Sequence, residues 1–261
     1  MAMPDHSRQF TEGYRQSSAG NLSDVADQAK DGGERPSGAR VLEEIRTTSG
    51  REQVTGWLAE FGQEARVDSA SRKLAERTGD QIDLGIEDHR LALISWLRAW
   101  GCRHLRRADT PMTSDALRGW WEEWGSGLPG DQVSLTGLDE EELLFAGEAY
   151  AALRGRPAAR RSVKDTDVVV SFGDTAAAKA LYALRPRAFP PWDELIRVSF
   201  GPPGGGAAYV RLLRLSAAAL DGLARRLGVP VAGLPEVLGR PASTPPKLID
   251  ELLFVKAGHG R

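Results

Sequence analysis

The sequence contains a single cysteine, Cys102, among its 261 residues. One cysteine excludes an internal disulfide framework, a cysteine-based zinc finger and a four-cysteine iron–sulfur cluster. No run of about eighteen apolar residues occurs, which excludes a transmembrane helix. The N-terminal region lacks the basic start and apolar stretch of a secretory signal. We therefore expect a cytoplasmic protein with no membrane partner, no metal site and no other cofactor.

Net charge is also small, at -2 for the whole chain, but it is unevenly distributed. Residues 1–150 hold 17 Lys and Arg against 27 Asp and Glu, and residues 151–261 hold 17 against 9. The basic second half predicts an anion-binding face, with DNA as the first candidate partner. The acidic first half predicts a surface for a protein partner. Basic residues that only cover solvated helix faces would explain the second half equally well.

Apolar periodicity divides the chain into a tail and a helical domain. Residues 1–40 are rich in Ser, Gly, Asp and Gln and show no period, which predicts a disordered tail. From Val41 onwards apolar residues recur at helical spacing, and Thr244 followed by Pro245 predicts the start of a final helix. We expect one all-α domain over residues 41–261, with an acidic part (41–150) and a basic part (151–261). In the basic part, residues 154–161 are interpreted as a connector and residues 168–172 as a short buried helix.

The tryptophans provide a second pattern. Trp96 and Trp100 are four residues apart, as are Trp120 and Trp124, so each pair lies on one helix face and predicts core packing. Trp121 lies off that face. It is therefore the candidate for an exposed stacking surface, and Trp121 and Trp192 are both candidate pocket residues.

Residues 171–198, SFGDTAAAKALYALRPRAFPPWDELIRV, carry the clearest chemical signal. A turn at Gly173 is predicted to open a helix whose first turn contains Asp174 and Thr175, and free N–H groups at such a start can bind phosphate. Asp193 falls in the first turn of the next predicted helix, where a carboxylate can stabilise developing positive charge or orient a water. Lys179 can pair with Asp193 or contact phosphate. The alternatives are that Asp193 only caps its helix and that Lys179 is a solvated helix residue.

This stretch resembles the helix-hairpin-helix DNA glycosylase superfamily. Gly173 matches the second hairpin glycine of that family, Thr175 matches its Lys or Ser position, and Asp193 stands eighteen residues later, where the family has its catalytic aspartate. The pattern KALYALRPxxxxPWD also resembles an uncharacterised bacterial family related to this fold. The resemblance implies a multi-helix glycosylase-like fold without lyase activity, because threonine cannot form a Schiff base. It implies Asp193 and Thr175 as catalytic residues, and as phosphate or nucleic-acid contacts Gly173, Asp174, Lys179 and Arg197.

The resulting hypothesis is a DNA-binding protein of helix-hairpin-helix glycosylase type that excises or senses a base through Asp193. Two other classes remain open. One is a non-catalytic interaction protein on the same fold, and the other is an enzyme that acts on a small metabolite in the equivalent pocket.

Overall fold

Helices make up most of this protein. The computed structural model describes residues 36–48, 50–61, 65–79, 81–163, 166–200 and 204–258, all within one compact unit, Arg35–Arg261. Within these ranges the α-helices are α1 Gly38–Thr47, α2 Arg51–Phe61, α3 Ala65–Thr78, α4 Glu87–Ala99, α5 Thr110–Trp124, α6 Glu140–Gly155, α7 Gly173–Leu184, α8 Glu194–Ser199, α9 Gly206–Leu227, α10 Leu234–Val237 and α11 Pro245–Leu253. None of the helices in the described part of the chain is long and apolar enough to cross a membrane.

The long helix α9 joins the two halves of the sequence in one core. It packs against α1, which belongs to the acidic half, and against α6, which begins in the acidic half and ends in the basic one. The α6–α9 contact is close because two glycines meet there, and a Cβ added to Gly206 would lie 2.6 Å from the backbone oxygen of Gly147. The acidic and basic parts of the sequence therefore do not form separate structural layers.

A β-hairpin interrupts the helices and corrects the prediction for this region. Strand β1 (Pro157–Val163) pairs with strand β2 (Thr166–Ser171) in an antiparallel two-stranded sheet. Residues 168–172 were expected to form a short buried helix, but Val168 and Val169 are exposed on β2. The physical reason is that the predicted basic connector supplies the missing partner strand, which allows the β-branched run to stay extended. Pro157 is compatible with β1 because it is the first residue of the strand.

Some helices begin where the sequence predicts, and others do not. Thr244 caps α11 as predicted, with its hydroxyl oxygen accepting from the N–H of Lys247 at 3.4 Å. The first helix begins at Gly38 behind the N-cap Ser37, so the last residues of the predicted 1–40 tail are helical. The rest of that predicted tail, residues 1–35, lies outside the described residues. Asp193 was expected in the first turn of the next helix, but it is the N-cap residue of α8, which begins at Glu194.

Candidate functional site

Asp193 and Lys179 form an ion pair at the wall of a cavity. The Oδ1 of Asp193 accepts a hydrogen bond from the backbone N–H of Glu194 at 2.7 Å. The Oδ2 accepts from Nζ of Lys179 at 3.3 Å, and the same Nζ donates to the carbonyl oxygen of Trp100 at 2.8 Å. The lysine side chain is 8% exposed, whereas the Asp193 side chain is 42% exposed. Asp193 therefore both caps a helix and presents a half-exposed carboxylate, so the two interpretations of this residue are compatible.

The cavity has a volume of about 530 Å³ and contains both members of this pair in its lining. Aromatic rings from separate parts of the chain form much of its wall, namely Phe61, Trp100, Tyr182 and Phe254. The rings of Trp100 and Tyr182 are 5.5 Å apart and inclined by 33°, which is a common geometry for packed aromatic side chains. A cavity of this size with an apolar wall and a few polar groups has the properties of a small-ligand site.

Helix α11 and the loop before it add a second group of charges to the same cavity. Lys247 pairs with Asp250 one turn later, and Arg240 pairs with Glu251 at 3.0 Å. The Glu251 side chain is only 2% exposed, and its Oε2 has no hydrogen-bond partner among the described residues. The buried Nε1 of Trp100 also has no partner within the described ranges. Buried charges and unsatisfied polar atoms are costly to a fold, and the presence of both here marks the cavity as a functional candidate.

Burial shifts the titration of several groups around the cavity. It raises the pKa of Asp250, against the opposing effect of Lys247. Burial acts to lower the pKa of Lys247, but Asp250, Tyr182 and Glu251 together outweigh it, so the pKa of Lys247 is raised. Burial also raises the pKa of Tyr182 to about 12 and that of the Cys102 thiol to about 11. Tyr182 and Cys102 are therefore neutral at pH 7, and Cys102 is not a thiolate nucleophile there.

The N-terminus of α7, which was predicted to bind phosphate, is occupied by the protein's own charges. Asp174 accepts hydrogen bonds from the hydroxyl of Tyr150 at 2.7 Å and from Nε of Arg154 at 2.6 Å. The Nε of Arg197 lies 3.9 Å from the same carboxylate. Arg197 thus faces Asp174, and this arrangement neutralises the charges of Arg154 and Arg197 beside the helix start. In addition, the element before Gly173 is strand β2, whereas a helix-hairpin-helix motif has a helix there.

The remaining predicted site residues lie apart from the cavity. Gly173 adopts a positive φ of 72° at the start of α7, the conformation that favours glycine. Thr175 is half-buried in the first turn of α7 and is not among the described residues that line the cavity. Trp192 is buried in the core against Tyr209, with the ring centroids 5.8 Å apart. Trp121 is half-buried, and neither tryptophan is among the described residues that line this cavity.

The charged residues of α11 and of the loop before it were not predicted as site residues from the sequence. Their signal was available, since Asp250 and Glu251 stand between two apolar pairs, Leu248–Ile249 and Leu252–Leu253, in one short helix. A helix that is apolar on most of its surface is buried, so its charged residues are buried with it. Among the described residues no group of three His, Cys, Asp or Glu side chains could hold a metal ion.

Comparison with protein-family models, curated proteins and solved structures gave no match to the chain. The assignment of a function therefore rests on the geometry of the cavity.

Proposed function

We propose that the cavity binds a nucleobase in the form of its nucleoside and that Asp193 promotes cleavage of the N-glycosidic bond. The observation that carries the proposal is the half-exposed Asp193 carboxylate, which Glu194 and Lys179 hold at the wall of an aromatic cavity. A planar base can stack against aromatic side chains, and Trp100 and Tyr182 line the same cavity. The base leaves with the electron pair of the N-glycosidic bond, and the positive charge left on the sugar is stabilised by a fixed carboxylate. Water then adds to the anomeric carbon and gives up a proton, which the departing base takes up.

Lys179 has a positioning role in this proposal. Its ammonium group is anchored to the carbonyl oxygen of Trp100 and pairs with Oδ2 of Asp193. The pair keeps the carboxylate in one orientation, and the N–H of Glu194 fixes its other oxygen. Fixed charges of this kind need no reorganisation during the reaction, which is the source of their catalytic effect.

The charges at α7 favour a small nucleoside over DNA as the source of the base. A DNA glycosylase has to hold phosphates close to the flipped base. At the N-terminus of α7, however, Asp174 takes up Arg154 and Arg197. A negative charge at a helix start also opposes the binding of a phosphate there. This arrangement supports the small-metabolite alternative of the sequence analysis.

DNA remains the second candidate because of the β-hairpin. Arg160 and Arg161 are adjacent and exposed on β1, and exposed arginines bind the nucleic-acid backbone through counterion release. In that case the hairpin would provide the phosphate contacts that α7 does not provide. A base flipped out of the duplex would then occupy the same cavity.

The test measures release of free base by chromatography from nucleosides and from single- and double-stranded oligonucleotides with damaged or unusual bases. We expect release from at least one substrate class, and a fall of about 10²-fold or more for Asp193→Asn. Asp167→Asn is the matched control, because Asp167 is an exposed carboxylate on β2 and does not line the cavity. Full activity in Asp193→Asn would overturn the catalytic role. Binding without any base release would instead support the interaction-protein alternative.

A further inference from the structure

Most of the charged residues that line the cavity form an ion pair with another lining residue of opposite charge. Three carboxylates, Asp193, Asp250 and Glu251, each pair with one cation, and these cations are Lys179, Lys247 and Arg240. Tyr182 adds no charge, because burial raises its pKa to about 12. One further cation, Arg103, also lines the cavity. Its guanidinium forms no ion pair or hydrogen bond within the part of the chain that the structure describes.

The turn that carries Arg103 is held firmly in place. Cys102 is buried at 2% exposure, and its N–H donates to the carbonyl oxygen of Leu97 at the end of α4. The N–H of Arg103 donates to the carbonyl oxygen of Gly101 at 2.8 Å. Gly101 has a φ of 89°, and a Cβ added to it would meet nothing within 4 Å. Apart from its chain neighbours, no residue lies against Gly101 on the side where a Cβ would stand, so the backbone beside Arg103 is open there.

We propose that the ligand of the cavity carries a phosphate group and that Arg103 binds this phosphate at the open side of the cavity. Arg103 is exposed, whereas the α11 charges lie deeper, so the phosphate faces solvent while the base faces the aromatic wall. Arginine suits this role because its planar fork donates two parallel hydrogen bonds to a phosphate and stays charged at every physiological pH. The excess positive charge of the lining also favours an anionic ligand over a neutral one.

This inference rests on the proposed function, since it assigns the phosphate to a nucleotide. The phosphate can belong to a free nucleoside monophosphate or to the backbone of a DNA strand. Either phosphate would accept the same hydrogen bonds from the guanidinium of Arg103. They differ in size and in the number of charges outside the cavity, so salt dependence separates them.

The experiment compares the affinities of nucleoside 5′-monophosphates, the matching nucleosides and a short single-stranded oligonucleotide by titration calorimetry. We expect the wild-type protein to bind a monophosphate about five- to tenfold more tightly than its nucleoside at low salt. Arg103→Ala should reduce this ratio to about one, whereas Arg107→Ala should leave it unchanged. Arg107 is the matched control, because it is an exposed arginine near Arg103 that does not line the cavity.

The outcomes separate the two proposals. Equal affinity for monophosphate and nucleoside in the wild-type protein would overturn the phosphate site and leave the proposed function intact. A ratio that Arg103→Ala does not change would also overturn the assignment to Arg103. Failure of every probe to bind would overturn both proposals. A preference for the oligonucleotide that disappears in Arg103→Ala and falls steeply with salt would identify DNA as the source of the phosphate.

Discussion

The ion pair between Lys179 and Asp193 should contribute measurably to stability, and a double-mutant cycle can isolate its energy. Fully exposed pairs contribute about 0.2–1 kcal/mol, whereas breaking a fully buried pair costs about 3–5 kcal/mol. Here the lysine side chain is 8% exposed and the aspartate side chain 42% exposed. Because water reaches only the aspartate end, we expect a coupling energy between these limits, of about 1–2 kcal/mol.

The variants for this cycle are Lys179→Met and Asp193→Asn. Methionine keeps the length of the lysine chain without its charge. Asparagine keeps the cap of α8, because its side-chain oxygen can still accept from the N–H of Glu194. Urea unfolding of the wild type, both single variants and the double variant gives the four free energies. The double variant should lose about 1–2 kcal/mol less than the sum of the single losses.

A coupling energy near zero would refute this reasoning. It would mean that the carbonyl oxygen of Trp100 alone satisfies the lysine, so that Asp193 is held only by its own helix. A coupling of the opposite sign would show that the two side chains together destabilise the fold. In either case the positioning role of Lys179 in the proposed reaction would fail with it.

Three further predictions test other parts of the structure. Arg240→Ala should destabilise the fold by about 2–4 kcal/mol in urea unfolding, because it leaves the buried Glu251 carboxylate without its cation. A loss of stability below about 0.5 kcal/mol would contradict this prediction. Gly206→Ala should lower the free energy of unfolding by about 1–3 kcal/mol, because its Cβ would lie 2.6 Å from a backbone oxygen of α6. Gly155→Ala is the control and should not destabilise the fold, because its Cβ would meet nothing within 4 Å. The Cys102 thiol, with its pKa raised from 9.0 to about 11 by burial, should react with a thiol reagent far more slowly at pH 8 in the folded than in the urea-unfolded protein. Because the pKa of Cys102 is higher in the folded than in the unfolded protein, its contribution to stability is complete below pH 9 and is lost as the pH rises towards 11. Unfolding free energies of the wild type and of Cys102→Ala over this pH range measure that contribution. A contribution of Cys102 that rises with pH would contradict the prediction.

The helices were predictable because each one repeats apolar residues at a helical period along a local stretch of sequence. The β-hairpin was not predictable in the same way. Its strand β2 has a β-branched run, but its partner β1, PAARRSV, has almost none, so neither strand is strong alone. The pairing of Arg160 with Val169 stabilises an extended conformation that local propensity does not reveal. A partner strand with so little β-propensity of its own gives no local sign that residues 168–171 are extended, and the sequence therefore predicted a helix there.

The site was predictable only where its residues are close in sequence. Lys179 and Asp193 belong to one motif, and the sequence alone predicted that they could pair. Arg240 and Glu251 come from a loop and a helix more than forty residues later, and no local period connects them with that motif. Their approach to the cavity depends on the packing of α11, which is long-range information.

The contrast between Asp174 and Asp193 shows why a motif alone does not identify a site. Both carboxylates occur at the beginning of a helix, and the sequence assigned both to one functional region. Asp174 is 16% exposed and is surrounded by a tyrosine hydroxyl and two arginines, so its charge is already balanced. Asp193 is 42% exposed, has one lysine at 3.3 Å and lines a cavity. A carboxylate can stabilise a ligand's positive charge only where its own charge is not already compensated on every side. Asp193 satisfies this condition and Asp174 does not, which is why the reaction is assigned to Asp193 although the two positions look alike in the sequence.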